Sequence, residues 1–247
     1  MSDHVPIALQ LYSIRELMGE DFEGTVRQVA EIGYEGVEVA ALPDSVSPPD
    51  ARALFDALGL SVVGVHSALP LGADREGVLE TLALFDAPYL VCPWLNPETY
   101  FTSKEGIAQA CALLNEANEV VRDAGMTLLY HNHWFEFKDL GGDYAYELLV
   151  KGLDETIGLE LDTYWAEVAG QTLVRLLSNL GDRAPLLHLK DGPGTVEAAM
   201  TPLGAGIMDV PAILETASAE WLIVEIDRCD GEMLSVVEES YAYLKEL

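Results

Sequence analysis

The chain has 247 residues, of which 50% are hydrophobic and 22% are charged. This composition is close to the globular average, so it excludes wholesale disorder and a fibrous architecture. Its 13 Lys and Arg residues against 42 Asp and Glu residues give a net charge of -29. Such a field repels nucleic acid phosphates and anionic lipid surfaces, so we expect neither nucleic acid nor a membrane as a partner.

Three features of the sequence bear on where the protein works. Its first residues lack the basic segment of a signal peptide, and no run of eighteen apolar residues occurs. Cys92, Cys111 and Cys229 show no CxxC spacing, which argues against a disulfide framework and against a thiolate zinc site. We therefore expect a soluble protein of the reducing cytoplasm.

Short apolar, β-branched runs alternate with longer amphipathic segments along the chain. The candidate strands recur at intervals of roughly thirty residues, the repeat length of a βα unit. Amphipathic helices are predicted at 22–32 and 107–124, followed by Gly33 and Gly125 at helix ends. The eight candidate strands are 6–11, 36–39, 60–66, 89–93, 126–132, 157–162, 185–190 and 221–227. No linker divides the chain, so we predict a single α/β domain over residues 1–247, a (β/α)8 TIM barrel.

An open, doubly wound sheet is the alternative architecture. Such a sheet usually carries a glycine-rich, phosphate-binding turn after its first strand. Here the residues at 10–13 read Gln-Leu-Tyr-Ser. The absence of that turn, together with the strand count, favours the closed barrel.

Polar side chains are concentrated at the C-terminal ends of the predicted strands, where barrel enzymes carry their catalytic groups. The alternation of side chains places His188 and Lys190 on one face of the seventh strand, and Glu225 and Asp227 on one face of the eighth. Asp162 closes the sixth strand. The other groups at strand ends include Gln10, Glu38, His66, Trp94 and the run from Tyr130 to Glu136. Carboxylates inside apolar strands are costly unless they are paired or bind a metal.

We infer a metal site made by Glu136, Asp162, His188 and Glu225, which would converge from strands five to eight. Three carboxylates and one imidazole form a hard, oxygen-rich set that suits Mn²⁺ or Mg²⁺, with Zn²⁺ or Co²⁺ as alternatives. A single inward carboxylate or histidine is often only a hydrogen-bonded part of the core. Four of them on successive strand ends favour a metal site.

Eight sequence motifs are distributed over nearly the whole chain. In order they are LQLYSIRE, AEIGYEGVEVA, GLSVVGVHS, LYHNHWFEF, LELDTYWAEVAG, LLHLKDG, PLGAGIMDVPAIL and LIVEID. Together they resemble the sugar phosphate isomerase/epimerase family of xylose-isomerase-like barrels. The resemblance implies a divalent metal held by Glu, Asp, His and Glu, which match the four residues named above. It also implies that His66, His131, His133 and Lys190 face the substrate.

Two positions depart from the family pattern. Ketose epimerases carry the first metal glutamate at the end of strand five, where this chain has Tyr130 or His131. Glu136 would therefore reach in from the loop. His131 or His133 is the alternative donor, and it would make the site richer in nitrogen and more tolerant of zinc. Trp165 stands where the epimerases usually place a histidine.

The expected substrate is a carbohydrate or polyol without a phosphate group. Phosphate recognition needs backbone amides together with Lys or Arg, and only Lys190 and Arg228 stand near the last two strand ends. Trp94, Trp134 and Trp165 follow strand ends closely and offer flat faces to a sugar ring. Packing between loops is an equal alternative for each of them.

The expected reaction is isomerisation or epimerisation through a metal-stabilised enediolate. Glu225 and Glu136 are the acid/base candidates, and Lys190 would polarise the carbonyl or leaving oxygen. Elimination by a dehydratase or a lyase acting on a 3-keto glycoside shares this chemistry, and His131 or His133 would then protonate the departing oxygen. A carbohydrate-binding barrel without turnover is the alternative from another class. Homo-oligomers are common among such barrels, but the sequence shows no interface.

Overall fold

Eight parallel strands close into a barrel in a computed structural model that describes residues 5–247. Each strand pairs with the next in chain order, and the last pairs with the first. The strands are β1 (Ile7–Gln10), β2 (Gly36–Val39), β3 (Ser61–His66), β4 (Tyr89–Cys92), β5 (Thr127–His131), β6 (Gly158–Asp162), β7 (Leu186–Leu189) and β8 (Trp221–Val224). This confirms the predicted TIM barrel and rejects the open sheet. The predicted strands all overlap the observed ones, and most of them ran a few residues too long.

Helices cover the outside of the barrel. They are α1 (Arg15–Glu20), α2 (Phe22–Ile32), α3 (Pro48–Leu58), α4 (Arg75–Phe85), α5 (Pro97–Tyr100), α6 (Lys104–Asp123), α7 (Ala145–Gly152), α8 (Thr163–Val168), α9 (Leu173–Leu180), α10 (Val210–Thr216) and α11 (Met233–Glu246). Short 3-10 turns lie at Leu11–Ile14, Gly72–Asp74, Phe135–Phe137 and Gly181–Arg183. Within residues 5–247, no helix is long and apolar enough to cross a membrane.

The two predicted helices begin and end at residues suited to helix ends. The Asp21 side chain accepts the N–H of Gly24 at the start of α2, and Gly33 ends that helix with φ at 117°. A positive φ of this kind favours glycine, as the sequence pattern indicated. The second helix, α6, starts earlier than predicted because Ser103 caps it by accepting the N–H of Gly106.

The inside of the barrel changes from apolar to polar along the strands. An inner apolar layer is formed by Ala8, Val63, Val91, Leu129, Leu186 and Ile223. Two residues further along three of these strands, and therefore on the same face, lie His131, His188 and Glu225. The apolar layer closes the barrel below these polar groups and keeps water from reaching them from that side.

A buried carboxylate holds the segment between β7 and α10. Asp191 Oδ1 accepts the N–H groups of Gly192 at 2.8 Å and Met208 at 3.1 Å. Its Oδ2 accepts those of Gly204 at 2.9 Å and Gly206 at 3.0 Å. Because Asp191 is fully buried, these donors replace the water that would otherwise solvate its charge.

We expect Gly206→Ala to lower the free energy of unfolding by about 2 kcal/mol, because overpacking a tight site forces neighbours apart. The added Cβ would overlap the Asp191 carboxylate and lie 2.5 Å from the carbonyl oxygen of Gly192. Urea unfolding measures the change. Gly231→Ala is the control, since a Cβ added at that glycine would meet nothing within 4 Å. Equal stability of the two variants would contradict this account of the segment.

Candidate functional site

A cavity of about 590 Å³ opens at the C-terminal ends of the strands. Its lining includes every residue that the sequence analysis expected to face a substrate, namely His66, His131, His133, Trp165 and Lys190. Glu225 lines it as well. The closed barrel brings these side chains together from β3, β5 and the segments that follow β5, β6, β7 and β8.

Four buried side chains, two of which line this cavity, offer a compact set of candidate metal ligands. The ligand atoms of His131, Asp162, His188 and Glu225 all lie within 4.8 Å of one another. Three of the four were predicted as ligands from the sequence. The fourth, His131, is one of the two histidines that the sequence analysis named as the alternative to a loop glutamate.

Glu136 does not join this set, although the sequence analysis expected it to be a ligand and an acid/base group. Its Oε1 accepts the hydroxyl of Tyr130 at 2.8 Å, and its Oε2 accepts the backbone N–H of His133 at 2.9 Å. Glu136 is fully buried. Both of its oxygens are thus engaged in fixing the loop after β5, and this loop in turn positions His133 at the cavity.

The Lys190 ammonium forms ion pairs with three carboxylates. Its Nζ lies 3.0 Å from Asp162 Oδ2, 2.7 Å from Glu225 Oε2 and 3.0 Å from Asp227 Oδ1. Burial lowers the pKa of Lys190, but the three carboxylates outweigh burial and raise that pKa well above its usual value. The ammonium therefore stays charged and offsets the repulsion among the three acids. It also lies 5.3 Å from the centroid of the Trp165 ring.

Two further carboxylates lie among the histidines, and the sequence analysis gave neither of them a role. His188 Nε2 lies 2.7 Å from Glu38 Oε2, whereas its Nδ1 lies 2.7 Å from Glu225 Oε2. His131 Nδ1 lies 3.0 Å from Glu160 Oε2. A carboxylate against one ring nitrogen orients the imidazole and fixes which nitrogen is left for a metal or a substrate.

Glu160 could have been found from the sequence. It stands two residues before Asp162 in β6, so strand alternation puts both carboxylates on one face. Its Oε2 also lies 2.7 Å from His66 Nε2. Glu160, His66, His131 and His188 form a second set whose ligand atoms lie within 4.8 Å of one another.

The buried charges set the protonation of the histidines. Burial lowers the pKa of His66, but the carboxylates of Glu38 and Glu160 outweigh it and raise that pKa to about 10. Glu160, Glu225 and Glu38 likewise raise the pKa of His188 well above its usual value against the effect of burial. His131 behaves in the opposite way, because burial and the neighbouring cationic groups hold its pKa well below 6.5.

Aromatic side chains surround the mouth of the cavity. Trp94 is 51% exposed and Trp134 is 37% exposed, and both line the cavity. The ring centroids of Trp134 and Trp165 are 4.9 Å apart, with Trp165 buried beneath. The two exposed tryptophans therefore add apolar surface to the cavity lining, while Trp165 is buried beside Trp134 and near the Lys190 ammonium.

The architecture and the cavity define a (β/α)8 barrel with a histidine and carboxylate centre at the C-terminal ends of its strands. The chain belongs to the xylose isomerase-like TIM barrel family, whose model matches residues 26–247. This confirms the resemblance found in the sequence. No curated protein matches the chain.

Solved structures with the same fold cover almost the whole chain. A sugar phosphate isomerase/epimerase from Parabacteroides distasonis is 20% identical, with a TM-score of 0.86 and 99% of each chain covered. The probable 3-DHS dehydratase AsbF from Bacillus anthracis, which is involved in petrobactin synthesis, is 14% identical, with a TM-score of 0.76 and 97% of this chain and 98% of that chain covered. The IOLI protein with a bound zinc atom is 16% identical, with a TM-score of 0.74 and 98% and 95% covered.

We expect Lys190→Met to lower the free energy of unfolding by about 3 kcal/mol, because removing one partner leaves buried carboxylates without their cation. Thermal or urea unfolding in the presence of a chelator measures the change. Lys104→Met is the matched control, because it removes an exposed ion pair with Asp143 and should change stability little. A Lys190→Met protein as stable as this control would show that the three acids do not depend on the ammonium.

Proposed function

We propose that the chain is a divalent-metal-dependent isomerase or epimerase acting on a sugar, a keto-sugar or a polyol. The observation that carries this proposal is the convergence of His131, Asp162, His188 and Glu225, of which His131 and Glu225 line the cavity. The family also supports it, since a similar solved structure is named as a sugar phosphate isomerase/epimerase.

The residues present fit a divalent cation. Four fully or almost fully buried carboxylates, Glu38, Glu160, Asp162 and Glu225, share the barrel interior with one lysine. Asp162 Oδ2 is buried with the ammonium of Lys190 at 3.0 Å, and Glu160 Oε1 is buried and makes no hydrogen bond. Two imidazoles and two carboxylates suit Zn²⁺, Mn²⁺ or Co²⁺ better than Mg²⁺, which prefers oxygen ligands. The zinc atom on the similar IOLI protein agrees with this preference.

The chemistry divides between the metal and the side chains around it. When bound, the metal would orient two neighbouring substrate oxygens and stabilise the negative charge that develops beside the carbonyl. Glu225 lines the cavity. In this proposal it takes a proton from the intervening carbon and returns it. Lys190, next to Glu225, donates to the carbonyl oxygen. Return of the proton by Glu225 to the neighbouring carbon gives an isomer, whereas protonation of the original carbon from the opposite face, by a donor other than Glu225, gives an epimer.

Elimination is the second candidate, and the position of His133 favours it. His133 lines the cavity but belongs to neither set of metal ligands, so its ring is available to protonate a departing oxygen. The Glu136 carboxylate accepts the backbone N–H of His133. The rings of His131 and His133 meet edge to face, with their centroids 5.0 Å apart. A similar solved structure is named as a probable dehydratase. Loss of a hydroxyl as water would make this chain a dehydratase.

Deuterium exchange tests the proposal. We expect the manganese-loaded protein in heavy water to label the carbon beside the carbonyl of one or more compounds in a panel of keto-sugars and keto-inositols. Mass spectrometry detects the label, and it also detects the loss of water that elimination would cause. A chelator should stop the exchange, and added manganese should restore it. The absence of exchange in any compound that binds would instead support a binding barrel without turnover.

We expect Glu225→Gln to slow this exchange by about a hundredfold or more, because the amide cannot accept the proton. Glu220→Gln is the matched control. Glu220 lies just before β8, where it accepts a hydrogen bond from Tyr89 at 2.7 Å, far from the cavity end of that strand. Exchange that survives in the Glu225 variant would remove Glu225 from the proton-transfer role.

A further inference from the structure

Two arginines line the cavity, and the proposed reaction gives them no part. Arg15 is the first residue of α1, soon after β1, and Arg228 follows β8, so both lie where the first and last strands meet. Lys190 is the third cation of the lining and is already paired with carboxylates. In a chain with 13 basic and 42 acidic residues, this lining carries three basic residues against two acidic ones.

The guanidinium of Arg15 is oriented by its neighbours but is not neutralised by them. Its Nη1 donates to the carbonyl of Tyr12 at 2.7 Å, and its Nη2 donates to the carbonyl of Asp227 at 3.2 Å. Its Cζ lies 4.0 Å from the centroid of the Tyr12 ring. Of the ion pairs among residues 5–247, none involves this side chain. Two of its five N–H donors are engaged in these bonds, so three are left for a ligand.

Arg228 is held in the same manner. Its Nη1 donates to the carbonyls of Val196 at 2.8 Å and Ala198 at 3.5 Å. The part of the chain that the structure describes offers it no carboxylate partner either. Its Nε and Nη2 donors are therefore left for a ligand, and because Arg228 is exposed, these donors can be reached from the cavity mouth and from solvent.

The two acids of this lining, Glu225 and Asp227, both pair with Lys190, whereas Glu16 and Glu20 belong to a neighbouring cavity. Asp227 lies between the two arginines along the wall, and its carboxylate pairs with Lys190 at 3.0 Å. The same wall of Arg15, Asp227 and Arg228 also borders a second cavity of about 320 Å³. Arg15 and Arg228 thus line both cavities, and Glu225 lines the first of them as well.

We propose that Arg15 and Arg228 form an anion-binding subsite for a carboxylate or phosphate group of the substrate. The proposal rests on the proposed function, because it takes the cavity as the substrate site. Arginine forks match the oxygens of either group, and a local positive charge is needed to hold an anion on a protein of strongly negative net charge. The substrate class then narrows to sugar acids or sugar phosphates. The expectation of a substrate without a phosphate group considered only Lys190 and Arg228. It did not include Arg15, which follows β1 and also lines the cavity.

Binding of three matched probes tests the subsite. D-glucose, D-glucuronate and D-glucose 6-phosphate are titrated into the full chain by calorimetry, both in chelator and with manganese. We expect at least one anionic probe to bind at least about tenfold more tightly than glucose. Tighter binding of glucuronate identifies a carboxylate as the group recognised, and tighter binding of glucose 6-phosphate identifies a phosphate. Equal binding of all three probes, or no binding of any, overturns the proposal.

Variants show whether the arginines are responsible. Arg15→Met and Arg228→Met should each weaken binding of the anionic probe about tenfold or more and leave glucose binding unchanged. Arg15→Lys should weaken it less, because it keeps the charge but loses the fork. Arg27→Met is the control, since Arg27 pairs with Glu23 on the surface of α2. Unchanged anion binding in both Met variants overturns the subsite. Because these titrations need no turnover, the subsite can fail while deuterium exchange still succeeds, and the reverse also holds.

Discussion

The electrostatic cost of carboxylates buried inside the barrel is the constraint on which the candidate site depends. Glu38, Glu160, Asp162 and Glu225 are buried together, and Lys190 is the nearest fixed cation. Buried anions are costly unless cations or hydrogen bonds offset them. Without a metal, the histidines and the lysine supply that compensation. A divalent cation at the same point would supply two positive charges and release the histidines as neutral ligands, so the cluster is suited to exchange protons for a metal.

The fold stabilises this arrangement and fixes its geometry. Parallel strands place all of the polar groups at one end, and the apolar layer beneath excludes water from the other. The histidines are further fixed by carboxylates, as where Glu38 faces one nitrogen of His188 and Glu225 faces the other. A ring held on both sides cannot turn freely, which orients its ligand atom in advance. The geometry of the site therefore depends on residues such as Glu38 that do not line the cavity.

Strand alternation and the rule that barrel sites lie at C-terminal strand ends were enough to predict the fold and to name three of the four side chains that the structure brings together as candidate ligands. The position of Glu136 was not predictable, because it depends on the Tyr130 hydroxyl and the His133 amide that capture its oxygens. The same alternation rule could have predicted Glu160. Its neighbours in β6 are mostly apolar, however, so the segment resembles an ordinary core strand. Arg15 was out of reach, since its contact with Asp227 joins residues 212 positions apart.

The most direct test of this account is the anomalous diffraction of crystals grown with excess manganese. The account predicts one strong peak within about 2.0–2.3 Å of ligand atoms from His131, Asp162, His188 and Glu225, with Glu136 still bound to Tyr130. A peak held by Glu136, or the absence of any peak near these four residues, would contradict it.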